Sequence, residues 1–405
     1  MKATVKTVMV GSSSPPNKGS GINAYVNQLV HGFIAAGHKI IYVAPQNDRS
    51  LPELDIPFLH LVVGQEEAPL QAGREILGYL AEQKVDLIIN NDNPYLQAVA
   101  PMVNTVFVSV GHMSQTSVAK LACFNDRWVD YVIAISADMQ STFVNKFRLD
   151  TAKVPIVYNG VNDPFNNSLP PYTPKKKLKL VYAGGNGANK GAQLLMSAVK
   201  DRRWDPKKVE LHWFGYMDSQ FKQQLEAVGG ITVYGRVPRP EFIEALKSAD
   251  GFLLLSYAEG CPMAMLEAMS YGIVPVASNG IGAMQRLIIH GQEGYICRLD
   301  DWSNDFYAIL DKLIGNHELI DLMRHAAYAR FRSDFLSTNT VDKIIALSDV
   351  PTVDRSSKPE AIQLLRWHRP TLPGTNKAPI LDRICIKAGV LRMSDKVQQR
   401  DLTSS

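Results

Sequence analysis

The sequence predicts an α/β protein with two Rossmann-like, doubly wound domains that face each other across a cleft, followed by a C-terminal extension. Short apolar runs alternate with helical patterns from the first residues to about residue 350, which is typical of βα units and a parallel sheet. One stretch, residues 162–177, lacks apolar periodicity and holds four prolines. The 405 residues also exceed what one hydrophobic core usually supports, so two cores are expected.

The first predicted domain, residues 1–165, contains seven strand candidates. They lie at residues 5–10, 39–44, 58–63, 86–90, 105–110, 131–135 and 155–158. Between the first two strands, apolar residues recur at helical spacing from Ile22 to Ile34, and Gly37 follows. This pattern predicts one amphipathic helix packed on a sheet.

A linker is predicted at residues 166–177 and a second domain at residues 178–332. Its strand candidates are residues 178–183, 209–214, 231–234, 251–256 and 273–277, and its helix candidates are residues 191–200, 241–248 and 263–271. Ligands of doubly wound folds bind at the carboxyl ends of the strands. We therefore expect the functional site in the cleft between the domains.

Composition narrows the class of protein. A formal charge of +4, without a basic stripe interleaved with aromatic residues, predicts no nucleic-acid partner. The four cysteines lack disulfide or metal-ligand spacing, and there is no Asp-x-Asp motif, so we expect a reduced protein without a metal site. No apolar run approaches the ~20 residues that span a bilayer, and no signal peptide is evident. These features predict a soluble, cytoplasmic protein, and they specify no oligomeric state.

The most informative stretch runs from Tyr257 to Gly272 and contains two glutamates. Glu259 lies in the loop after a predicted strand, and Glu267 lies inside a helix that begins near Pro262. Free N–H groups at a helix N-terminus can hold a diphosphate, while carboxylates accept hydrogen bonds from sugar hydroxyls. The residues alone equally allow a solvated loop carboxylate and a surface helix position.

A glycine-rich turn follows the first strand of the second domain. It contains Gly184 and Gly185 and ends at Lys190 and Gly191. Glycines let the backbone approach phosphates closely, and a lysine supplies charge against a diphosphate. The turn is not a Walker loop, because Gly-Lys-Ser/Thr is absent. An ordinary glycine-rich turn is the alternative.

Two features of the first domain also follow strands. The loop from Ser12 to Gly21 includes Gly19, and His112 follows the strand predicted at residues 105–110. Both lie where doubly wound folds bind ligands. The alternatives are a flexible surface loop and a structural histidine.

Together these motifs resemble the retaining GT-B glycosyltransferases of the "glycosyl transferases group 1", family 4-like, superfamily. Glu259 and Glu267 match its Glu-x7-Glu signature, and Tyr234-Gly235-Arg236-Val237 and Gly291-Gln292-Glu293-Gly294 lie where the family pattern expects them. The resemblance extends from residue 3 to about residue 347. It implies transfer of a sugar from a nucleotide-sugar donor to a glycan or glycolipid acceptor in cell-surface polysaccharide or lipopolysaccharide-type biosynthesis. The nucleotide sugar is a co-substrate, and no cofactor is implied.

The resemblance also implies roles for individual residues. It makes the first domain the acceptor side, and it places Glu267 on the donor ribose, Glu259 and His112 beside the transferred sugar, and Lys190 on the diphosphate. Glu259, His112 and Lys190 are the implied catalytic residues, with no nucleophile assigned and no metal. The implied donor-binding residues are Gly19, Gly21, Gly184, Gly185, Lys190, Glu259, Gly260, Cys261, Pro262, Met263 and Glu267.

Two departures from the family pattern keep other functions open. The arginine usual a few residues before Lys190 is replaced around Gly185, and Arg286 stands where an acid is common. A catalytically silent sugar-nucleotide-binding or assembly protein is therefore an alternative. An NAD-dependent Rossmann enzyme is a weaker one, because a third glycine and the expected acidic residue are missing.

The C-terminal part has two predicted segments. Residues 333–350 correspond to the helix that crosses back to the first domain in the resembling proteins. Residues 351–405 hold ten Lys or Arg and five Asp or Glu, so the basic excess of the chain lies there. This extension either caps the first domain or makes a peripheral contact with the inner face of a membrane, where each basic residue contributes ~1 kcal/mol.

Overall fold

The computed structural model describes residues 5–13, 21–46, 58–62, 68–113 and 116–354. These residues form two compact units. The N-terminal unit contains the described residues up to Gly160 and those from Ser337 onward, and the C-terminal unit spans Val161–Leu336. Each unit has its own six-stranded parallel sheet with helices between the strands, which confirms the α/β class and the two Rossmann-like domains.

The sheet of the N-terminal unit has the strand order β3-β2-β1-β4-β5-β6. Every pair is parallel. The strands are β1 (Thr7–Ser12), β2 (Lys39–Gln46), β3 (Phe58–Val62), β4 (Leu87–Asn91), β5 (Val106–Gly111) and β6 (Tyr131–Ala134). The helices are α1 (Gly21–Ala35), α2 (Ala68–Glu82), α3 (Pro94–Val99), α4 (Thr116–Ala122) and α5 (Ala137–Ser141).

The predicted first helix is confirmed as α1. Its apolar residues at helical spacing, including Val26, Leu29 and Phe33, are buried, and the helix contacts β1 and β2. Val8, Met9 and Val10 of β1 are fully buried. Burying a side chain of this size contributes about 1.5–3 kcal/mol, so the face of α1 is fixed by its apolar spacing.

The sheet of the C-terminal unit has the order β14-β12-β10-β7-β8-β9, and all of its pairs are also parallel. Its strands are β7 (Leu178–Tyr182), β8 (Val209–Phe214), β9 (Ile231–Gly235), β10 (Gly251–Leu254), β12 (Val274–Ser278) and β14 (Tyr295–Cys297). A separate ribbon pairs β11 (Ala258–Glu259) with β13 (Ile281–Gly282). The helices are α6 (Ala192–Val199), α7 (Ser219–Glu226), α8 (Arg239–Lys247), α9 (Met263–Ser270), α10 (Met284–Leu287), α11 (Trp302–Leu313) and α12 (His317–Asp334).

Two predicted elements differ from the structure. Residues 155–158 form only a single bridge, Ala134↔Ile156, rather than a strand. The helix predicted to begin at residue 333 begins later, because α12 ends at Asp334 and α13 spans Ser337–Ser348. Between these helices, Leu336 forms a bridge with Val161, and the Phe335 carbonyl accepts a hydrogen bond from Val161 N at 2.9 Å. Helix α13 packs against α1 of the N-terminal unit.

Each sheet has one topological switch point, where the direction of strand addition reverses. In the N-terminal unit this point lies between β1 and β4, and in the C-terminal unit it lies between β7 and β10. Loops that leave the two central strands diverge there and form a crevice at the carboxyl ends. The fold alone therefore marks one crevice in each unit as a place for a ligand.

The described part of the C-terminal extension is short. Thr352 N and Val353 N donate hydrogen bonds to Asp130 Oδ1 at 2.9 and 3.0 Å, which fixes this segment to the N-terminal unit. The rest of the extension lies outside the described residues, as does Gly19. Within the described ranges, no helix is both long and apolar enough to cross a bilayer.

Candidate active site

An ion pair lies at the switch point of the C-terminal unit. Lys190 is in the loop after β7, Glu259 is in β11 after β10, and their Nζ and Oε1 atoms are 2.5 Å apart. Ser256 Oγ donates a second hydrogen bond to the same oxygen at 2.6 Å. The Lys190 side chain is 44% exposed and that of Glu259 is 14% exposed, so the ammonium group remains accessible to an anion.

Backbone contacts hold the Lys190 loop against the end of β10. Tyr257 N donates to the Asn189 carbonyl at 2.9 Å, and Tyr182 OH donates to the Lys190 carbonyl at 2.9 Å. The loops after β7 and β10 are therefore bonded to each other at the crevice. The glycine-rich turn that ends at Lys190 and the segment that contains Glu259, which are far apart in sequence, are thus in contact.

Gly185 in the same loop occupies a position that no other residue fits. Its φ is +56°, and a Cβ atom there would collide with the Tyr216 carbonyl oxygen. Trp213 Nε1 and Phe214 O bond to the backbone of Gly185, each at 2.9 Å. The missing family arginine thus has a local cause, because this turn leaves no room for a side chain.

A second loop fixes the backbone of Glu259. Residues of β11 and β13 pair in parallel, with Glu259 opposite Gly282. Gly282 has φ +116°, and a Cβ atom there would overlap the Glu259 carbonyl oxygen. Arg286, the other departure from the family pattern, is exposed on α10, which follows this loop.

Helix α9 begins directly after the Glu259 loop. Pro262 is its N-cap residue and gives no side-chain cap, so first-turn N–H groups lack a partner within the helix. Cys261 and Met263 beside it are buried, and Gly260 accepts a hydrogen bond from Ala283 N at 3.3 Å. The predicted donor-binding residues around Pro262 therefore form one ordered turn.

Glu267 is buried rather than at the helix surface. Only 4% of the residue is exposed, and Oε1 accepts a hydrogen bond from Arg239 Nη2 at 2.7 Å. Burial raises the pKa of Glu267, and the Arg239 guanidinium opposes that shift. Sequence analysis missed Arg239, although its place just beyond the carboxyl end of β9 was a usable signal.

In the N-terminal unit, His112 follows β5 and is 6% exposed. Its Nε2 lies 3.2 Å from Asn91 Oδ1, and its ring packs edge-on against Tyr25 at 5.1 Å. Asn91 Nδ2 donates to the Gly11 carbonyl, so Oδ1 is the acceptor and His112 carries its proton on Nε2. Burial lowers the pKa of His112 to about 4, which keeps the imidazole neutral near pH 7.

The polar residues after β4 were also missed by sequence analysis. Asn91 is the last residue of β4, a fully buried strand at the switch point of the N-terminal unit, and Asp92 and Asn93 follow it. Gly21 begins α1, and a Cβ atom on it would meet no atom of the described residues within 4 Å. An Asn-Asn-Asp-Asn run after an apolar strand is the signal that points to this edge of the sheet.

Two further observations concern the residues that an NAD-binding unit or a metal site would require. Strand β8 ends at Phe214 and is followed by Gly215 and Tyr216, so the acidic residue that an NAD-binding unit needs is absent there. Within the described ranges, no cluster of three or more His, Cys, Asp or Glu side chains is arranged to hold a metal ion.

Comparisons with known proteins agree with this architecture. The family model "Glycosyltransferase Family 4" matches residues 19–164, and "Glycosyl transferases group 1" matches residues 177–316. The two models together cover both Rossmann-like regions. The chain belongs to the GT-B glycosyltransferase superfamily, in its group 1, family 4-like branch.

Two curated relatives show how far the similarity extends. The D-inositol 3-phosphate glycosyltransferase of Arthrobacter sp. (strain FB24) is 28% identical over 150 residues, which are 34% of this chain and 35% of that protein. The chain thus matches about a third of the length of this relative. Glycogen synthase of Mycobacterium tuberculosis is 22% identical over 386 residues, 82% of this chain and 91% of that protein.

Solved structures share the fold at low identity. The Anabaena protein Alr3699/HepE, in complex with UDP and glucose, has a TM-score of 0.67 and 16% identity, covering 85% of this chain and 100% of that chain. The lipopolysaccharide outer core galactosyltransferase WaaB has a TM-score of 0.63 and 17% identity, covering 84% and 99%.

Proposed function

We propose that this protein transfers a sugar from a nucleotide-sugar donor to a glycan or glycolipid acceptor, with retention of anomeric configuration and without a metal ion. The observation that carries the proposal is the Lys190–Glu259 pair at the switch point of the C-terminal unit. A lysine from the loop after β7 lies there beside a carboxylate and an uncapped helix start from the segment after β10. Such a set suits a donor that combines a diphosphate with a polyol.

In this proposal each group contacts one part of the donor. The exposed Lys190 ammonium and the first turn of α9 bind the diphosphate, and the Glu259 carboxylate accepts a hydrogen bond from the transferred sugar. Glu267 accepts hydrogen bonds from the ribose hydroxyls. Arg239 supports this role, because the ion pair favours the ionised form of a carboxylate that burial would otherwise neutralise.

The proposed reaction exchanges one bond at the anomeric carbon. The bond to the diphosphate oxygen breaks, the acceptor oxygen forms a bond on the same face, and the acceptor proton moves to the departing diphosphate. Lys190 and the N–H groups of α9 stabilise the charge that develops on the leaving group, which is the work a metal ion performs in other transferases.

The relatives support a surface-glycan role and a first choice of donor. HepE is described with UDP, and WaaB acts in the lipopolysaccharide outer core. We propose a cell-surface polysaccharide or lipopolysaccharide-type acceptor, a cytoplasmic location, and peripheral contact of residues 351–405 with the inner face of the membrane. UDP-sugars are therefore the first donors to test.

Donor binding is tested by titrating UDP and uridine into the full-length protein. We expect Lys190→Ala to weaken UDP binding about 10- to 100-fold and to leave uridine binding unchanged, because only UDP carries the diphosphate. Glu267→Ala should weaken both ligands. Glu226→Gln, an exposed carboxylate on α7, is the matched control. Unchanged UDP affinity in Lys190→Ala would contradict the donor site.

Transfer itself separates this proposal from a silent binding protein. Radiolabelled UDP-, GDP- and ADP-sugars are incubated with the full-length protein and membrane extracts that supply glycolipid acceptors. Labelled product that depends on Lys190 supports a transferase. Tight nucleotide binding with neither transfer nor donor hydrolysis would instead support the silent alternative.

A further inference from the structure

Asp92 lies at the switch point of the N-terminal unit, beside the residues already described there. It follows β4 directly, and β4 and β1 are the two strands between which the sheet order reverses. Its neighbour Asn91 bonds to His112 at the end of β5. The position is therefore equivalent, in its own sheet, to the position of Glu259 after β10.

One oxygen of the Asp92 carboxylate is buried without a partner among the described residues. The residue is 8% exposed, and its Oδ1 has no hydrogen bond to any of the residues that the structure describes. Two other aspartates of this unit behave differently: Asp86 Oδ2 accepts from Thr7 N at 2.8 Å, and Asp130 Oδ2 accepts from Phe107 N at 2.8 Å. Those two stabilise the sheet, whereas Asp92 Oδ1 accepts a hydrogen bond from no group within the described ranges. An unmatched buried acceptor is unfavourable.

The backbone of Asp92 is also held in a strained conformation. Its φ is +54°, in the left-handed region that residues with a side chain rarely adopt. Asn91 Nδ2 donates to the Gly11 carbonyl, and Asn93 Nδ2 donates to the Ser12 carbonyl, each at 3.1 Å. The residues on both sides are thus anchored to β1, and they keep the strain in place. Strain that the surroundings enforce is typical of ligand-binding positions.

We propose that Asp92 is an acceptor-binding residue whose carboxylate accepts a hydrogen bond from a hydroxyl group of the sugar or polyol that receives the transferred sugar. The inference rests on the proposed function. An orphan acceptor oxygen requires a donor, and hydroxyl groups are the donors that a saccharide offers. The burial, the strain and the switch-point position are three separate observations, and each is typical of a residue that contacts a ligand.

The experiment compares Asp92→Asn and Asp92→Gly with wild type and with Glu82→Gln, an exposed carboxylate on α2. The full-length protein is given UDP-glucose with D-glucose, D-galactose, N-acetyl-D-glucosamine or myo-inositol as acceptor. Binding of the same four polyols is measured by saturation-transfer NMR, and UDP affinity and the unfolding temperature are measured in parallel.

We expect both Asp92 variants to raise the KM of the acceptor about 10-fold and to lose polyol binding, with unchanged UDP affinity. They should also unfold about 2 °C higher or more, because each removes an unmatched charge and Asp92→Gly removes the strain as well. A structural role predicts the opposite shift, to a lower unfolding temperature.

The outcomes separate this inference from the proposed function. Polyol binding by wild type that the Asp92 variants lose, without sugar transfer, would support Asp92 and contradict the transferase. Transfer with an unchanged acceptor KM in the variants would overturn the role of Asp92 and leave the transferase intact. Failure of wild type to bind any of the four polyols, or a lower unfolding temperature in both variants, would also overturn the inference.

Discussion

Glu267 and Arg239 form a pair in which the two partners lie in different environments. The Glu267 side chain is 5% exposed, whereas the Arg239 side chain is 51% exposed. The charge of the Glu267 carboxylate is therefore stabilised mainly by the arginine, whereas the charge of Arg239 is also stabilised by solvent. Removing one partner of such a pair leaves a buried charge without compensation.

We expect Arg239→Ala to lower the free energy of unfolding at pH 7 by about 1–3 kcal/mol. Burial raises the pKa of Glu267, so the folded state binds a proton more readily than the unfolded state. Rising pH therefore lowers the free energy of unfolding through this group. The deficit should therefore shrink as the pH falls toward 4.5. Denaturant unfolding of Arg239→Ala measures this.

Two further variants serve as comparisons for this prediction. Arg239→Ala combined with Glu267→Gln should recover most of the lost stability, because no buried charge remains. Arg202→Ala, at an exposed arginine of the same unit, should have little effect. A double variant no more stable than Arg239→Ala would contradict the electrostatic explanation.

His112 and Asp92 should give opposite pH dependences of stability. Burial lowers the pKa of His112 to about 4, so between pH 6.5 and about 4 only the unfolded chain binds this proton, and falling pH destabilises the fold. Burial raises the pKa of Asp92 to about 7, so between pH 3.8 and about 7 the folded chain retains that proton, and rising pH destabilises the fold.

We expect the two contributions to oppose each other in wild type between pH 4.5 and 6.5, the His112 contribution amounting to roughly 3 kcal/mol and the Asp92 contribution to roughly 4 kcal/mol over their full ranges. Relative to wild type, Asp92→Asn should lose stability as the pH falls, and His112→Gln should lose stability as the pH rises. Urea unfolding at pH 4.5, 5.5 and 6.5 tests this. Curves for both variants parallel to that of wild type would show that neither group titrates as described.

Among the elements, the short β11–β13 ribbon fixes the backbone of a site residue. It holds the Glu259 backbone against a loop that follows a different strand. We expect Gly282→Ala to displace Glu259 and to reduce sugar transfer at least about 10-fold, with a loss of stability near 1 kcal/mol from the left-handed backbone. Steady-state transfer and thermal unfolding are the measurements.

Gly315→Ala is the matched control for this element. Gly315 also has a positive φ, +73°, but its Cβ direction is open, so only the conformational cost applies. A transfer defect in Gly282→Ala that Gly315→Ala does not share would support the positional role of the ribbon. Equal transfer in the two variants would contradict it.

The elements were predictable where an apolar pattern specifies them. The strands of both sheets and α1 follow from buried apolar runs and from 3.6-residue spacing. Strand β14 and the β11–β13 ribbon have two or three residues each, too few for a period. Residues 155–158 look like a strand, yet only Ile156 meets β6 in a bridge.

The site was predictable to the extent that its residues are close in sequence. Glu259, Glu267 and Lys190 follow strands or lie on a helix start, and their segments carry a family pattern. Arg239 and Asp92 acquire their significance from the tertiary structure, because Arg239 lies against a distant glutamate and Asp92 Oδ1 is buried without a hydrogen-bond partner in the described part of the chain. The spacing of residues in the sequence predicts neither property.

On the scale of the whole molecule, the first and last residues of the C-terminal unit lie next to each other. Val161 and Leu336, its first and last residues, form a parallel bridge. Its first segment also packs inward, since Tyr328 OH donates to Asp163 Oδ1 at 2.8 Å and Tyr172 OH donates to Asp250 Oδ1 at 3.0 Å. A domain with adjacent ends and its own core is expected to fold alone.

We expect the fragment Val161–Leu336 to unfold cooperatively and to bind UDP. A shorter fragment, residues 178–332, lacks the bridge and both tyrosine contacts, so its unfolding temperature should be lower by several degrees. Circular dichroism melts with and without UDP measure both fragments. Equal melting temperatures would show that the segment before β7 is only a linker.

The turn at Gly185 has an evolutionary consequence. A Cβ atom on Gly215 would collide with the backbone of Gly185, just as one on Gly185 would collide with Tyr216. Neither position can therefore accept a side chain while the other loop keeps its course. An arginine can replace Gly185 only if the backbone of the segment after β8 takes a different path. Homologues that carry this arginine should therefore differ from this chain both at position 185 and in that segment.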